Sequence, residues 1–276
     1  MLKRLMKNEQ ATATASAFLQ EAKTRFRAPG AATDRPLRFG VDLGTATVVL
    51  TAVSEAGQPV YWDFVRCGAV RDGVVVNFSD AVAAVRGLKA GAEAALGVEV
   101  GAAATAFPPG VAEAEARACR FVLENAGIEC RLLTDEVSAA QALLGLSDAA
   151  IVDVGGGSTG VGIVRDGKIV ALDDQPGGGH HLDLIIAGAL KIPVEAAEEM
   201  KRAGETDFTL ILKPGFERIA ASVRRQIGDF PVSSVHLAGG AVRVPKAADI
   251  IGAFLNMPTT GYPHSELITP FGIALG

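Results

Sequence analysis

Short apolar runs that end on glycine and acidic residues alternate along this chain with stretches whose apolar positions recur every three or four residues. That is the pattern of strands alternating with helices. The first set begins at Phe39-Gly40-Val41-Asp42-Leu43-Gly44-Thr45-Ala46-Thr47, where a strand ends on Asp-Leu-Gly. A second strand continues through 48–53, turns at Glu55-Ala56-Gly57 and resumes at 59–62. Residues 70–78 read as a turn and strand, and Ser79-Asp80 as the N-cap pair of a helix carrying Val82, Val85, Leu88, Ala92 and Leu96 up to Gly97. A strand over 98–105, a loop at Phe107-Pro108-Pro109-Gly110 and a helix to Gly127 follow, with Ala114, Ala118, Phe121, Val122 and Ala126 on its apolar side. Residues 128–133 give another strand, and Asp135-Glu136-Val137 opens a further helix.

The pattern then starts again. Ala149-Ala150-Ile151-Val152 leads to Asp153-Val154-Gly155-Gly156-Gly157-Ser158-Thr159, and a returning strand occupies 161–170. A glycine-rich loop over 174–181 precedes helices at 182–190 and 194–202. Residues 208–212 read as a short strand before a helix that begins near Pro214 and carries Phe216, Ile219, Val223 and Ile227. A strand from Val235 turns at Gly239-Gly240, an amphipathic helix passes through Ile250, Ile251 and Phe254, and 269–276 close the chain as a helix with small residues suited to a tight crossing. The division predicted is an arm over 1–35, a first α/β domain over 36–146 and a second over 147–276. For the arm, whose helical stretch begins near Leu5, three states stay open: poorly ordered, packed on the first domain, or docking a partner.

At 276 residues there is length for two domains with a core each, and 49% hydrophobic residues with 21% charged fit an ordinary globular α/β chain. A net charge of −5, with no basic run interleaved with aromatics, argues against nucleic acid as a partner. Cys67, Cys119 and Cys130 are odd in number and lack metal-ligand spacing, so reduced thiols and no zinc are expected. The basic start has no apolar segment of signal length, and no window suits a membrane span, so a cytoplasmic protein without a membrane partner is expected.

Each acid-tipped hairpin alone is compatible with a glycine turn that binds nothing. Two copies heading two halves of one chain are what facing domains need to clamp a metal-bound triphosphate: the glycines expose backbone N–H groups and the acids face a hydrated cation. These motifs resemble the two phosphate motifs of the superfamily of actin, sugar kinases and DnaK-type chaperone ATPases. The resemblance implies an actin-like (ribonuclease H-like) fold of two related domains around a nucleotide cleft, with small or absent extra subdomains, ATP and Mg²⁺ as cofactors, and closure of the cleft on nucleotide.

Residue by residue, the resemblance assigns Asp42 and Asp153 to Mg²⁺ through its waters, and Gly44, Thr45, Ala46, Gly155, Gly156, Gly157, Ser158 and Thr159 to the phosphates. Glu136 matches the acid near the attacking water, with Asp153 beside it as a catalytic candidate, although a helix N-terminal acid explains Glu136 as well. Gly178 and Gly179 border the γ-phosphate side, with His180 and His181 next to them. Glu198, Lys201 and Arg202 share one helix face and match a ribose and adenine grip, or form a solvated charged face. Gly239 and Gly240 match the adenosine turn, or an ordinary strand-to-helix turn. Three departures stand out: Val137 replaces the usual proline, Gly160 stands where DnaK-type proteins keep another acid, and only Arg71, by position, stands in for a catalytic lysine. Hydrolysis is therefore expected to be slow or absent.

Val41-Asp42-Leu43-Gly44-Thr45, Val70-Arg71-Asp72-Gly73, Phe107-Pro108-Pro109-Gly110, residues 153–160, Gly178-Gly179-His180-His181 and Leu237-Ala238-Gly239-Gly240 together resemble the EutJ family of ethanolamine-utilisation proteins over nearly the whole chain. That resemblance implies a chaperone-like nucleotide-binding protein whose client is an ethanolamine-pathway enzyme or a component of a bacterial microcompartment. An actin-like scaffold or filament former is the alternative. A small-molecule kinase is weaker, because inserted substrate-binding elements have little room.

Overall fold

The computed structural model describes residues 2–30, 36–71 and 74–276. Helix α1 (Leu2–Lys23) comes first, followed by the meander β1 (Arg38–Leu43), β2 (Thr47–Val53) and β3 (Pro59–Arg66). A small ribbon of β4 (Val70–Arg71) and β5 (Val74–Val75) leads to α2 (Phe78–Leu96), β6 (Ala102–Phe107), α3 (Glu113–Asn125), β7 (Glu129–Asp135) and α4 (Glu136–Leu144). The second half repeats the opening with β8 (Ala149–Val154), β9 (Ser158–Arg165) and β10 (Lys168–Pro176). It continues through α5 (Gly179–Leu190), α6 (Val194–Ala203), α7 (Thr209–Ile227), β11 (Val235–Ala238), α8 (Ala247–Leu255), β12 (Thr259–Thr260) and α9 (Ile268–Leu275).

The two sheets have the orders β3-β2-β1-β6-β7 and β10-β9-β8-β11-β12, one topology used twice. In each, the first strand pairs antiparallel with its hairpin partner and parallel with the strand on its other side. Each sheet has its own core: Val41, Leu50, Val85, Val122 and Leu123 are among its members in the first half, and Val152, Ile186, Phe216, Val223 and Ile251 in the second. A third core lies between them, built from Val137, Ala140 and Leu144 of α4, Ile151 of β8, and Ile268, Phe271 and Ala274 of α9.

That third core also takes Ala15, Leu19 and Ala22 of α1, all at most 2% exposed. Of the states left open for the arm, α1 is packed, and it touches both halves. Trp62 Nε1 on β3 donates to the Ala22 carbonyl (2.9 Å). At the other end Asn8 Nδ2 donates to the Asp148 carbonyl (2.9 Å), and the Ser147 amide donates to Asn8 Oδ1 (2.8 Å). Phe18 stands edge-on to Phe271 with centroids 5.3 Å apart.

Helices α4 and α9 cross between the sheets, and the crossing is close because a Cβ on Gly272 would fall on the Ala139 carbonyl. On its other side α9 lies on β1, where a Cβ on Gly40 would come within 2.7 Å of the Ala274 nitrogen. Thr51 Oγ1 donates to the Pro270 carbonyl (2.9 Å), so α9 is bonded to the first sheet near its own start.

Several local expectations change. The cap of α2 is Asn77, whose Oδ1 accepts from the Asp80 amide (3.2 Å), not the Ser79-Asp80 pair. The buried stripe of α3 runs through Ala116, Cys119, Val122, Leu123 and Ala126, leaving Phe121 49% exposed. Residues 209–212 open α7 and are not a strand; Pro214 lies inside that helix. Its ring opposes the carbonyl of Leu210, on a residue 86% exposed, where water can satisfy the orphaned acceptor. Helix α5 starts at Gly179, earlier than residue 182. Asp72 and Gly73 of the Val70–Gly73 motif and residues 31–35 of the first loop lie outside the described residues. Cys67, Cys119 and Cys130 are free thiols.

Candidate functional site

The two acid-tipped turns meet. A Cβ on Gly156, at the tip between β8 and β9, would lie 3.3 Å from Thr45 Cβ and 3.6 Å from Ala46 Cβ, at the tip between β1 and β2. Asp42 and Asp153 occupy matching places in the two sheets, each followed within a few residues by its turn. Glu136 reaches the same region from the first turn of α4, whose N-cap Asp135 accepts from the Ser138 amide at 2.7 Å.

These acids shape one another's chemistry. Burial, reinforced by the charge of Asp153, pushes the Asp42 carboxyl up to about 7. Burial pushes Asp153 up to about 6, opposed by the hydroxyl of Thr269, which donates to Asp153 Oδ2. Glu136 is raised well above the usual carboxylate range, first by burial and then by the charges of Asp153, Asp42, Asp174 and Asp135. Carboxylates that resist ionisation together make a place where a cation is favourable. Among the described residues no group of three or more His, Cys, Asp or Glu side chains is arranged to hold a metal ion directly.

The second turn is braced from behind. The Gly179 amide donates to the Gly155 carbonyl (2.8 Å), the His180 amide to the Gly156 carbonyl (2.9 Å), and the Gly177 amide to the Gly157 carbonyl (2.8 Å). The hydroxyl of Thr159 donates to the Gly177 carbonyl (2.6 Å), so it is committed to this brace. Gly239, with φ of 93°, lies against the Val154 carbonyl and the Asp153 carboxylate, and Gly240 follows it toward the 3-10 turn. His180 and His181 are both exposed at the start of α5.

The trio on α6 divides. Lys201 turns inward, with Nζ 2.6 Å from Asp183 Oδ1 and donating to the Gly179 carbonyl (2.8 Å), so it anchors the glycine loop. Burial pulls the Lys201 ammonium down and Asp183 opposes that shift, as expected for a desolvated pair. Glu198 and Arg202 pair with each other at 2.8 Å, partly exposed. On the same helix Glu199 reaches across to Arg66 at the end of β3, 3.3 Å away, an ion pair between the halves.

The structure therefore gathers Asp42, Thr45, Ala46, Glu136, Asp153, Gly155, Gly156, Gly178, Gly179 and Gly239 around one place. Two participants escaped the sequence reading. Thr269 is adjacent to Asp153 only because α9 returns from the far end of the chain, and Asp174 matters only through strand register. The matching rung of the first sheet runs Asp42, Val49, Phe64, with no acid on its third strand, so the repeat carries no signal for Asp174.

Residues 150–269 match the family model described as cell division protein FtsA. Over 257 residues, 93% of this chain and 91% of the relative, the sequence is 38% identical to ethanolamine utilization protein EutJ of Salmonella typhimurium strain LT2. The crystal structure of EutJ from Carboxydothermus hydrogenoformans superposes with a TM-score of 0.89 at 36% identity, covering 95% of this chain and 99% of that one. MreB5 of Spiroplasma citri, solved with AMPPNP bound, gives 0.70 at 18% identity over 87% and 95% of the two chains, a likeness of fold alone. The fold is that of the actin-like ATPases, as the two hairpins led one to expect. Among the described residues no helix is long and apolar enough to cross a membrane.

Proposed function

The chain belongs to the EutJ family of ethanolamine-utilisation proteins, and from that membership we propose that it is an ATP-binding, chaperone-like switch whose halves close on Mg·ATP and act on a protein client of ethanolamine breakdown. The observation that carries this reading is the meeting of the tips, with Gly156 against Thr45 and Ala46 and an aspartate behind each. Backbone N–H groups of both turns supply donors for phosphate oxygens. Bound Mg²⁺ offsets the triphosphate charge. Glu136 is placed to orient water at the γ end, Glu198 and Arg202 to border the nucleoside, and Gly239 and Gly240 to let the backbone lie against it.

Motion between the halves is supported by the exposed Arg66–Glu199 pair, which is easily broken. The protein works in the cytoplasm, with a microcompartment as the setting of its client. Calorimetry of Mg·ATP binding to the wild type and to Asp153→Asn tests the site; a clear weakening in the variant is expected, and equal affinity sinks the assignment. Nucleotide-dependent retention of an ethanolamine-pathway enzyme tests the client. Growth into large species with Mg·ATP, seen by sedimentation, would instead favour a scaffold or filament.

A further inference from the structure

A carboxylate on β10 stands at the rim of the same cleft. Asp153 pairs with Gly160, and Gly160 with Asp174, so the three form one rung across β8, β9 and β10. Paired residues in neighbouring strands project to the same face. The two acids therefore flank a residue that has no side chain, two strand spacings or about 10 Å apart. A Cβ on Gly160 would lie 3.4 Å from Asp174 Oδ1, 3.1 Å from Val137 Cγ2 and 3.5 Å from Pro109 Cδ. Asp174 thus faces the first half, toward the start of α4 and the loop after β6.

The packing explains why the acid is on β10. Val137 is fully buried over β9 and lies against both Gly160 and Gly162, so a side chain at position 160 would displace it. The same contact seats the first turn of α4 and with it Glu136, which feels the charge of Asp174. Glu136 and Asp174 approach one volume from two elements.

We infer that Asp174 is a positioning residue that, with Glu136, orients the water attacking the γ-phosphate; this rests on the nucleotide reading given above. In that step the water oxygen bonds to the γ-phosphorus. The bond from that phosphorus to the β–γ bridging oxygen breaks, and ADP leaves with the electron pair. One proton of the water passes to a γ-phosphate oxygen, and the phosphate leaves carrying it. Asp174 accepts a hydrogen bond from the other O–H, so the water's lone pair is aimed at phosphorus.

Single-turnover phosphate release from bound Mg·ATP, with calorimetry of Mg·ATP and Mg·ADP, tests this on the full chain as wild type, Asp174→Asn and Asp174→Glu. Asp174→Asn is expected to slow release at least tenfold while both affinities stay within threefold, and Asp174→Glu to recover most of the rate. Unchanged release in Asp174→Asn, or a matching loss of Mg·ADP affinity, overturns the inference. A wild type that binds Mg·ATP but releases no phosphate overturns it too and leaves nucleotide binding standing. A wild type that binds neither nucleotide removes the reading of the site itself.

Discussion

The two halves repeat one topology but are not covered alike. Two residues before its aspartate, each first strand pairs with its parallel neighbour: Gly40 opposite Ala104 in one sheet, Ile151 opposite His236 in the other. The small pair lets α9 lie directly on the first sheet, where Ala104, Ala106, Ala139 and Ile273 pack together. The large pair of the second sheet lies instead under α4, whose Val137, Ala140 and Leu144 pack with Ile151. There His236 Nδ1 shares a hydrogen bond with the Tyr262 hydroxyl (2.7 Å), which in turn is 3.4 Å from Thr12 of α1. Topology fixes where the aspartates stand, and side-chain volume decides which helix covers each sheet.

The strongest way to probe that division is to empty the shared core. Phe271→Ala removes a fully buried ring from between the halves and should cost about 3–5 kcal/mol, read from urea unfolding. Both halves should still unfold in one transition; two separate transitions would mean each sheet stands alone.

Next in size is acid stability, which should reside in the half that buries histidine. Burial pulls His236 down to about 4, whereas the unfolded chain takes up its proton near 6.5. Between those values the unfolded state binds more protons, so the contribution is complete above pH 6.5 and is lost as pH falls to about 4. The loss is on the order of 3 kcal/mol. His236→Ala, which copies the Ala104 of the first sheet, should remove this rise of stability with pH and leave the opposite trend set by the raised Asp42 and Asp153 carboxyls; an unaltered slope would place the titration elsewhere.

The aspartates should differ in a subtler way. Asp42→Asn and Asp153→Asn should each weaken Mg·ATP tenfold to a hundredfold, about 1.4–2.7 kcal/mol. Their effects on the nucleotide-free protein should be opposite in sign. A neutral amide at 42 relieves a carboxyl raised by burial and by Asp153 and should raise the melting temperature, while one at 153 disturbs the acceptor of Thr269 and should lower it. Melting shifts of the same sign would erase the contrast. Smallest of all, Arg66→Ala should change stability by less than about 1 kcal/mol, since the pair it breaks is exposed.

The hairpins were legible because an aspartate followed by glycine at a strand end occurs twice, once in each half, and that repetition gave the double sheet. What depends on non-local contact was not. The 209–212 stretch has strand-like β-branched residues, and only its packing with α5 and the second core makes it helix. On α3, Val122 and Ala126 of the expected side are buried, but Phe121 is half exposed and Cys119 and Leu123 fill the core in its place. Lys201 has the spacing of a nucleotide contact, yet the buried Asp183 one helix away claims it. Val137 and Gly160, two departures in the sequence, turn out to be one contact.

The docking of α1 also sets a timetable. Its partner Tyr262 is made 250 positions after Thr12, and Phe271 later still. At ordinary translation rates that interval is roughly 10–50 s. Through it the stripe of Ala15, Leu19 and Ala22 has only part of its cover, the β2–β3 side where Val53 packs and Trp62 holds the Ala22 carbonyl, and the Phe271 side of the shared core comes last.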